Sequence, residues 1–327
     1  MHMHTIEELQ KLLAEAVSAK KYPNQPAELY EPISYIMAMS GKRMRPVLLL
    51  MGCELFKGDI KKAIDPALAV EVFHNFTLMH DDIMDKAPLR RGKQTVHEKW
   101  NANIAILSGD VMLVQGYILL LNSLEEKLLR PVLHVFNETA VSVCEGQQFD
   151  MNFETQAAVS LTDYIEMIRL KTAVLLGGAL KIGALIAGAS TAESDLLEGF
   201  GEDLGIAFQI QDDILDVYGN PDKFGKQVAG DILANKKTYL LIKAQELATG
   251  KDADELNLWL EASNYTAEDK IKAVTELYNR LGVRELAETA MQNYAKKAIK
   301  QLDAIQVEAA RKEALRNFAA QLVSREQ

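Results

Sequence analysis

Apolar residues recur at helical spacing along almost the whole chain, and no stretch shows the sustained period-two alternation of strands. No proline falls between Pro131 and Pro221, which suits a series of long uninterrupted helices. The pattern predicts an all-α fold. The strongest candidate for a membrane span, residues 173–189, is short and carries Lys181 and four glycines. A span needs about 20 mostly apolar residues, so this run predicts a central core helix with close neighbours and not a transmembrane segment. Four stretches interrupt the helical pattern: Tyr22–Pro32 with three prolines, Lys86–Thr95, Gly219–Asp231, and the polar turn Thr249–Glu255. Beyond residue 250 the chain reads as further amphipathic helices, such as the stretch 275–302.

Within the apolar helices the pattern Asp-Asp-x-x-Asp occurs twice, as Asp81, Asp82 and Asp85, then as Asp212, Asp213 and Asp216. Three carboxylates on an apolar helix are costly to bury unless a cation neutralises them. On a helix Asp81 and Asp85 share a face one turn apart, with Asp82 about 100° round from Asp81. Such a set can share metal ions and leave coordination positions open; two sets imply a shared metal site. All-oxygen ligation with no cysteine nearby favours a hard cation such as Mg²⁺, which takes a few carboxylates together with substrate phosphates and water.

Cations follow each cluster. Arg90 and Arg91 come after the first, Lys226 and Lys236 after the second, and Gly41–Pro46 places Lys42, Arg43 and Arg45 at a helix start. Arginine offers a planar fork for bidentate phosphate contacts, and lysine a point charge. A pyrophosphate bridged by metal fits this layout. His74 lies two turns before Asp81 on nearly the same face and can donate to a phosphate oxygen. Glu71 and His74 also form the Glu-x-x-His of di-iron bundles, but no second such motif exists in the chain. There is no nucleophile elbow, Walker loop or dinucleotide fingerprint. Metals and charge must therefore supply the chemistry, which suits a reaction whose leaving group is a diphosphate.

Composition narrows the reading further. A chain 48% hydrophobic and 25% charged is ordinary for a globular protein. A net charge of −10 argues against nucleic acid or an anionic membrane as the main partner. Cys53 and Cys144 are too few for a disulfide framework and predict free buried thiols in a reducing, cytoplasmic compartment. The N-terminus lacks the basic flank and apolar core of a signal peptide, and its His2 and His4 fall on an end expected to fray.

In order, Gly41–Pro46, His74, the first acidic cluster with Pro88–Gly92, Gly146–Asp150, Lys171-Thr172, Phe208–Asp216, Phe224–Lys226, Asp231 and Asn235–Thr238 resemble the trans-isoprenyl diphosphate synthases of the polyprenyl synthetase family. The resemblance implies a single all-helical domain over 1–327, a bundle of long antiparallel helices around a deep central cavity, usually as a homodimer. It implies three Mg²⁺ ions with Asp81, Asp85 and Asp212 as principal ligands and Asp82, Asp213 and Asp216 as weaker or outer contributors. Arg90, Lys171, Lys226 and Lys236 would hold an allylic diphosphate; Lys42, Arg45, His74 and Arg91 would hold isopentenyl diphosphate. Thr172 and Gln209 would present oxygen dipoles to a carbocation, and the departing diphosphate would take the final proton.

The same resemblance places a chain-length floor at Phe73, Phe76 and Thr77, as in twenty-carbon synthases. Phe76 lies roughly 7.5 Å of helix rise below Asp81, whereas an ideal wheel puts Thr77 beneath it. Geranylgeranyl diphosphate is the expected product, with farnesyl diphosphate next. Gln227 departs from the proline common in relatives after Phe224–Lys226. Two rivals are a class I terpene cyclase, which has a different second metal motif and no use for an isopentenyl diphosphate site, and a regulatory subunit, which usually loses one acidic cluster. The second acidic cluster and Gly41–Pro46 count against the cyclase, and the presence of both clusters counts against the subunit.

Overall fold

In the computed structural model, which describes residues 3–219, 229–262 and 264–323, the chain is helical almost throughout, as the spacing predicts. The strands among the described residues are the antiparallel pair β1 (Leu89–Arg90) and β2 (Lys93–Gln94), inside the predicted break after the first acidic cluster. The chain divides into two compact units, one formed by residues 1–137, 178–197 and 306–314, the other by 138–177, 198–305 and 315–327. Each draws on three separate segments. No single linker divides them, and a reading along the sequence meets one continuous helical domain.

In the first unit, α1 (Ile6–Ala19) starts at a capping box between Thr5 and Glu8 and buries Leu9 and Leu13. Of the end expected to fray, His4 is tied down, its Nδ1 2.6 Å from Glu54 Oε1, while His2 lies outside the described residues. α2 (Ala27–Met37) begins directly after Pro26 and contains Pro32, so helix starts inside the proline-rich stretch read as a break. α3 (Met44–Leu55) and α4 (Ile60–Met84) form the buried centre. α9 (Val174–Ile186) packs against α3 with Gly183 on the Leu49 carbonyl and Gly52 on the Leu180 carbonyl, where any Cβ would overlap backbone. Gly183 of the predicted core helix thus serves close backbone approach.

α5 (Val96–Lys99) leads into α6 (Ala102–Ser123), capped by the Asn101 side chain, whose oxygen accepts from Ile104 N at 2.9 Å. α6 packs on α4, and bare Gly109 leaves room for the His80 ring, whose Nε2 reaches the Ile106 carbonyl at 3.2 Å. Among the described residues α6 is the helix long and apolar enough to cross a membrane, with 39% of its apolar window buried. Leu107, Val114, Ile118 and Leu121 are exposed along it.

The second unit centres on most of α10 (Thr191–Tyr218), around which pack α8 (Leu161–Ile168), α12 (Tyr239–Leu247), α14 (Ala267–Leu281) and α15 (Val283–Ala304). Short α11 (Gly230–Leu233) precedes α12, α13 (Lys251–Glu261) precedes α14, and α7 (Glu126–Thr155) and α16 (Ala309–Val323) supply residues to both units. The Ile206, Ile210 and Ile214 stripe meets Tyr164, Leu240 and Leu277 in one apolar cluster. Three local expectations change. Lys251–Glu255 is the first turn of a helix, with Asp252 and Asp254 placed favourably at its N-terminus. The stretch 275–302 is two helices, separated by Gly282 at φ +67°. Cys144 is exposed on α7, while Cys53 is buried as expected.

Candidate active site

The first acidic cluster ends α4, where Asp85 caps the helix by donating its N–H to the Asp81 carbonyl at 2.8 Å. Its three carboxylates have different surroundings. Asp82 is only 2% exposed and accepts Arg90 Nε at 2.9 and 2.8 Å on its two oxygens, with Nη2 2.7 Å from Oδ1. Burial pushes the Asp82 carboxyl above its ordinary value, against the pull of Arg90. Asp81 meets Arg90 Nη2 at 3.4 Å and is half-buried; Asp85 is exposed. The β1–β2 hairpin that carries Arg90 is tied back by Thr95, which donates its hydroxyl to Ala87 O and its N–H to Pro88 O.

A second group of cations lies in the same unit. Arg45 Nη1 is 3.0 Å from His74 Nε2. A guanidinium only donates, so Nε2 accepts and the imidazole proton sits on Nδ1. Burial, then Arg45 and Arg91, holds His74 well below the usual histidine range, so it is neutral at physiological pH. Burial also lowers Arg45 to about 10. Arg91 Nη1 donates to Ser40 O at 2.9 Å across Gly41, where a side chain would displace the guanidinium. Lys42 is exposed, and its carbonyl accepts from Gln10.

From its sequence motif, Glu71 suggests only a di-iron ligand. It is 4% exposed, 3.9 Å from Arg43 Nε, with Oε2 buried and unpartnered. Burial raises its carboxyl, while Arg43, Arg45 and Arg91 pull it down. Glu71 is a counter-charge to the arginine group rather than half of a metal motif.

In the second unit, Asp213 is 4% exposed and turned into the core. Its Oδ2 accepts the Tyr164 hydroxyl and the Tyr239 N–H, the latter at 2.9 Å. Burial pushes its carboxyl up to about 7, against those two donors. Asp216 Oδ2 accepts Asp231 N at 3.0 Å, and its carbonyl accepts Ala229 N at 2.6 Å. Asp212 is half-buried. In both clusters the middle aspartate is the buried one.

Lys171 and Thr172 sit on a single π-helical turn, Arg169–Ala173, between α8 and α9. Gly146 of α7 abuts the Lys171 backbone so closely that a Cβ would overlap it. Lys171 Nζ pairs with Asp150 Oδ2 at 2.5 Å, and Thr172 Oγ1 is 3.4 Å from Gln209 Oε1. The residues read as cation-facing dipoles are thus brought together, and Asp150 and Tyr164 are the partners of Lys171 and Asp213 that spacing along the sequence does not reveal. The second had no motif to signal it; the first is the last residue of Gly146–Asp150. Lys236 follows Asn235 in the turn between α11 and α12. Lys226, with Gln227, lies outside the described residues.

Phe73 and Phe76 form a row on α4 with His80, ring centroids 5.6 and 4.8 Å apart, and Phe73 also meets Phe136 at 5.3 Å. Phe76 is 9% exposed. Thr77, on the His74–Asp81 side, turns its hydroxyl back to the His74 carbonyl at 2.8 Å.

Among the described residues no three His, Cys, Asp or Glu side chains form a ready-made metal cage. That is compatible with Mg²⁺, which is held by one or two carboxylates plus substrate phosphates instead of an all-protein cage. The half-buried or exposed side chains of Asp81, Asp85 and Asp212 suit that role; Asp82 and Asp213, buried and already held by protein donors, suit it less.

The polyprenyl synthetase family model matches residues 26–278. The short chain isoprenyl diphosphate synthase of Methanothermobacter thermautotrophicus is 36% identical over 301 residues, covering 92% of this chain and 91% of the relative. A crystal structure of a geranylgeranyl pyrophosphate synthase matches at a TM-score of 0.95 and 43% identity, over 99% of this chain and 100% of the other. The geranylgeranyl pyrophosphate synthase of Corynebacterium glutamicum, solved with isoprenyl diphosphate and magnesium, matches at a TM-score of 0.85 and 26% identity, over 98% of each chain.

Proposed function

Because the chain belongs to the polyprenyl synthetase family, it is a prenyltransferase, and we propose that it condenses isopentenyl diphosphate with dimethylallyl, geranyl or farnesyl diphosphate and releases diphosphate, with geranylgeranyl diphosphate as the main product and farnesyl diphosphate as the alternative. The observation that carries the reading is the shared division within the two acidic clusters. Each buries its middle carboxylate on protein donors and keeps others accessible. The accessible set, Asp81, Asp85 and Asp212, would hold Mg²⁺, with three ions expected when substrate is bound. When present, Mg²⁺ neutralises the diphosphate and so favours cleavage of the allylic C–O bond.

The protein groups prepare that step. Asp82 aims Arg90, and Asp150 aims Lys171, toward an allylic diphosphate also held by Lys236 and Lys226. Arg45, Arg91, Lys42 and neutral His74, through Nδ1–H, bind the diphosphate of isopentenyl diphosphate. The oxygens of Thr172 and Gln209 face the allylic cation while the isopentenyl double bond attacks it. Water must be kept from such a cation, and the buried Phe73–Phe76 row supplies apolar surface near Asp81.

The exposed Leu107, Val114, Ile118 and Leu121 of α6 form an apolar face that a homodimer would cover. Purified protein incubated with isopentenyl diphosphate and each allylic primer, with Mg²⁺ or with chelator, tests the function by the mass of the products. No elongation from any primer would refute it. Light scattering of Leu107→Glu/Leu121→Glu against the wild type tests the dimer; an unchanged mass would count against this face.

A further inference from the structure

Among the buried charged residues outside the groups assigned to the site, Lys270 stands closest to them through its contacts. Lys270, in the first turn of α14, is 1% exposed and forms no ion pair among the described residues. Its Nζ donates to Asn235 Oδ1 at 2.7 Å, reaches the Tyr265 hydroxyl at 3.4 Å, and lies 4.7 Å from the Tyr265 ring centroid. A buried ammonium needs such dipoles to replace its water. An apolar residue of the same volume would avoid that desolvation altogether, so the contact with Asn235 is what the lysine adds.

Asn235 occupies a demanding position. It is left-handed at φ +52°, and its Nδ2 donates to Leu260 O at the end of α13, 3.0 Å away. Both ends of its side-chain amide are therefore engaged, one by α13 and one by α14. The turn it anchors contains Lys236, whose N–H donates to Asp231 O at 2.9 Å. On either side, Asp231 N donates to Asp216 and Tyr239 N to Asp213. The turn is laced to the second acidic cluster along one edge and held by Lys270 along the other.

We propose that Lys270 is a positioning residue for the allylic diphosphate: by pinning the Asn235 turn it sets where Lys236 presents its charge. This rests on the assignment of Lys236 to the allylic diphosphate. The test is a double-mutant cycle of Lys270→Met and Asn235→Gly, with Lys236→Met alongside, scored by KM for each substrate and by thermal melting. Lys270→Met is expected to raise KM for the allylic substrate about tenfold, within the coupling range for one hydrogen-bond network, with KM for isopentenyl diphosphate unchanged. The double variant should be no worse than Asn235→Gly, since glycine keeps the left-handed turn but removes the acceptor.

Equal rises in both KM values, full additivity, or a lower melting temperature with unchanged KM would overturn the proposal. If Lys270→Met does not fold, Asn235→Gly tests the same link from the other end, and an unchanged allylic KM there overturns it. An inert Lys236→Met overturns the ligand assignment and the inference with it; an active effect of Lys236→Met beside an inert Lys270→Met overturns the inference alone.

Discussion

Replacing Asp213 by asparagine should flatten the dependence of stability on pH. The exchange is nearly isosteric, and one amide oxygen can accept from both Tyr164 and Tyr239 as Oδ2 does now. What changes is the charge. Burial raises the Asp213 carboxyl from 3.8 to about 7, with Asp231 adding to the rise and Lys236 opposing it. A folded value above the unfolded one means that the folded protein holds this proton more tightly. The associated stability is fully present below about pH 4 and is lost as the pH climbs through about 7. Integrating the linkage relation over these two values gives a loss of about 2–3 kcal/mol between pH 5 and pH 8. The amide of the variant carries no such proton.

Urea denaturation of wild type and Asp213→Asn at pH 5 and pH 8, without divalent metal, reads the difference directly. The wild type should lose about 2–3 kcal/mol more than the variant over that interval. Equal losses in the two proteins would refute the inward, proton-holding role of Asp213. A metal titration of activity supplies an independent readout. If Asp213 supports the fold and does not ligate, the half-saturating Mg²⁺ concentration should move by less than about threefold, under 1 kcal/mol.

Asp82→Asn removes a charged acceptor from Arg90, a contact worth about 1.5–3 kcal/mol, so kcat/KM for the allylic substrate should fall roughly 10–100-fold while KM for isopentenyl diphosphate holds; equal loss for both substrates would show a general disruption of the hairpin. Phe76→Ala should lengthen the product, read by mass spectrometry of the chains formed, and an unchanged distribution would move the floor away from the Phe73–Phe76–His80 row. Of the two thiols, exposed Cys144 should react with a disulfide reagent in the native state while Cys53, buried and pushed up to about 12, reacts only on unfolding; fast titration of both would contradict the burial of Cys53.

The helices were legible because their signal is local. Apolar spacing marks α4, α6 and α10, and the glycines of 173–189 mark a crowded core helix that the structure places against α3. The acidic clusters and their trailing cations were legible as types in order. What spacing along the chain did not contain was each carboxylate's partner. Asp150 meets Lys171 across 21 positions, Tyr164 meets Asp213 across 49, and Lys270 meets Asn235 across 35. Glu71 shows the same limit: its di-iron motif is set aside for want of a second Glu-x-x-His, and only the three-dimensional proximity of arginines identifies it as their counter-charge. The π-turn at Lys171 left no mark in the local spacing, and the close approach of Gly146 on α7 to its backbone appears only in three dimensions.

The behaviour of the middle aspartates explains why the motif has three carboxylates when a phosphate-bound Mg²⁺ needs fewer from the protein. Neighbouring residues on a helix point about 100° apart, so two adjacent aspartates cannot both face the same opening. If Asp81 and Asp212 face substrate, Asp82 and Asp213 must turn toward the helix flank. There each meets what its own unit provides: a guanidinium for Asp82, a phenol and a backbone N–H for Asp213. The two are not interchangeable. Asp82 holds a cation that itself is assigned to substrate, so its loss should be read in binding. Asp213 ties α8 and α12 to α10, so its loss should be read in stability and its pH dependence. On the proposed assignment one sequence pattern carries metal ligation at Asp81, Asp85 and Asp212 and, through its centre, a different supporting role in each unit.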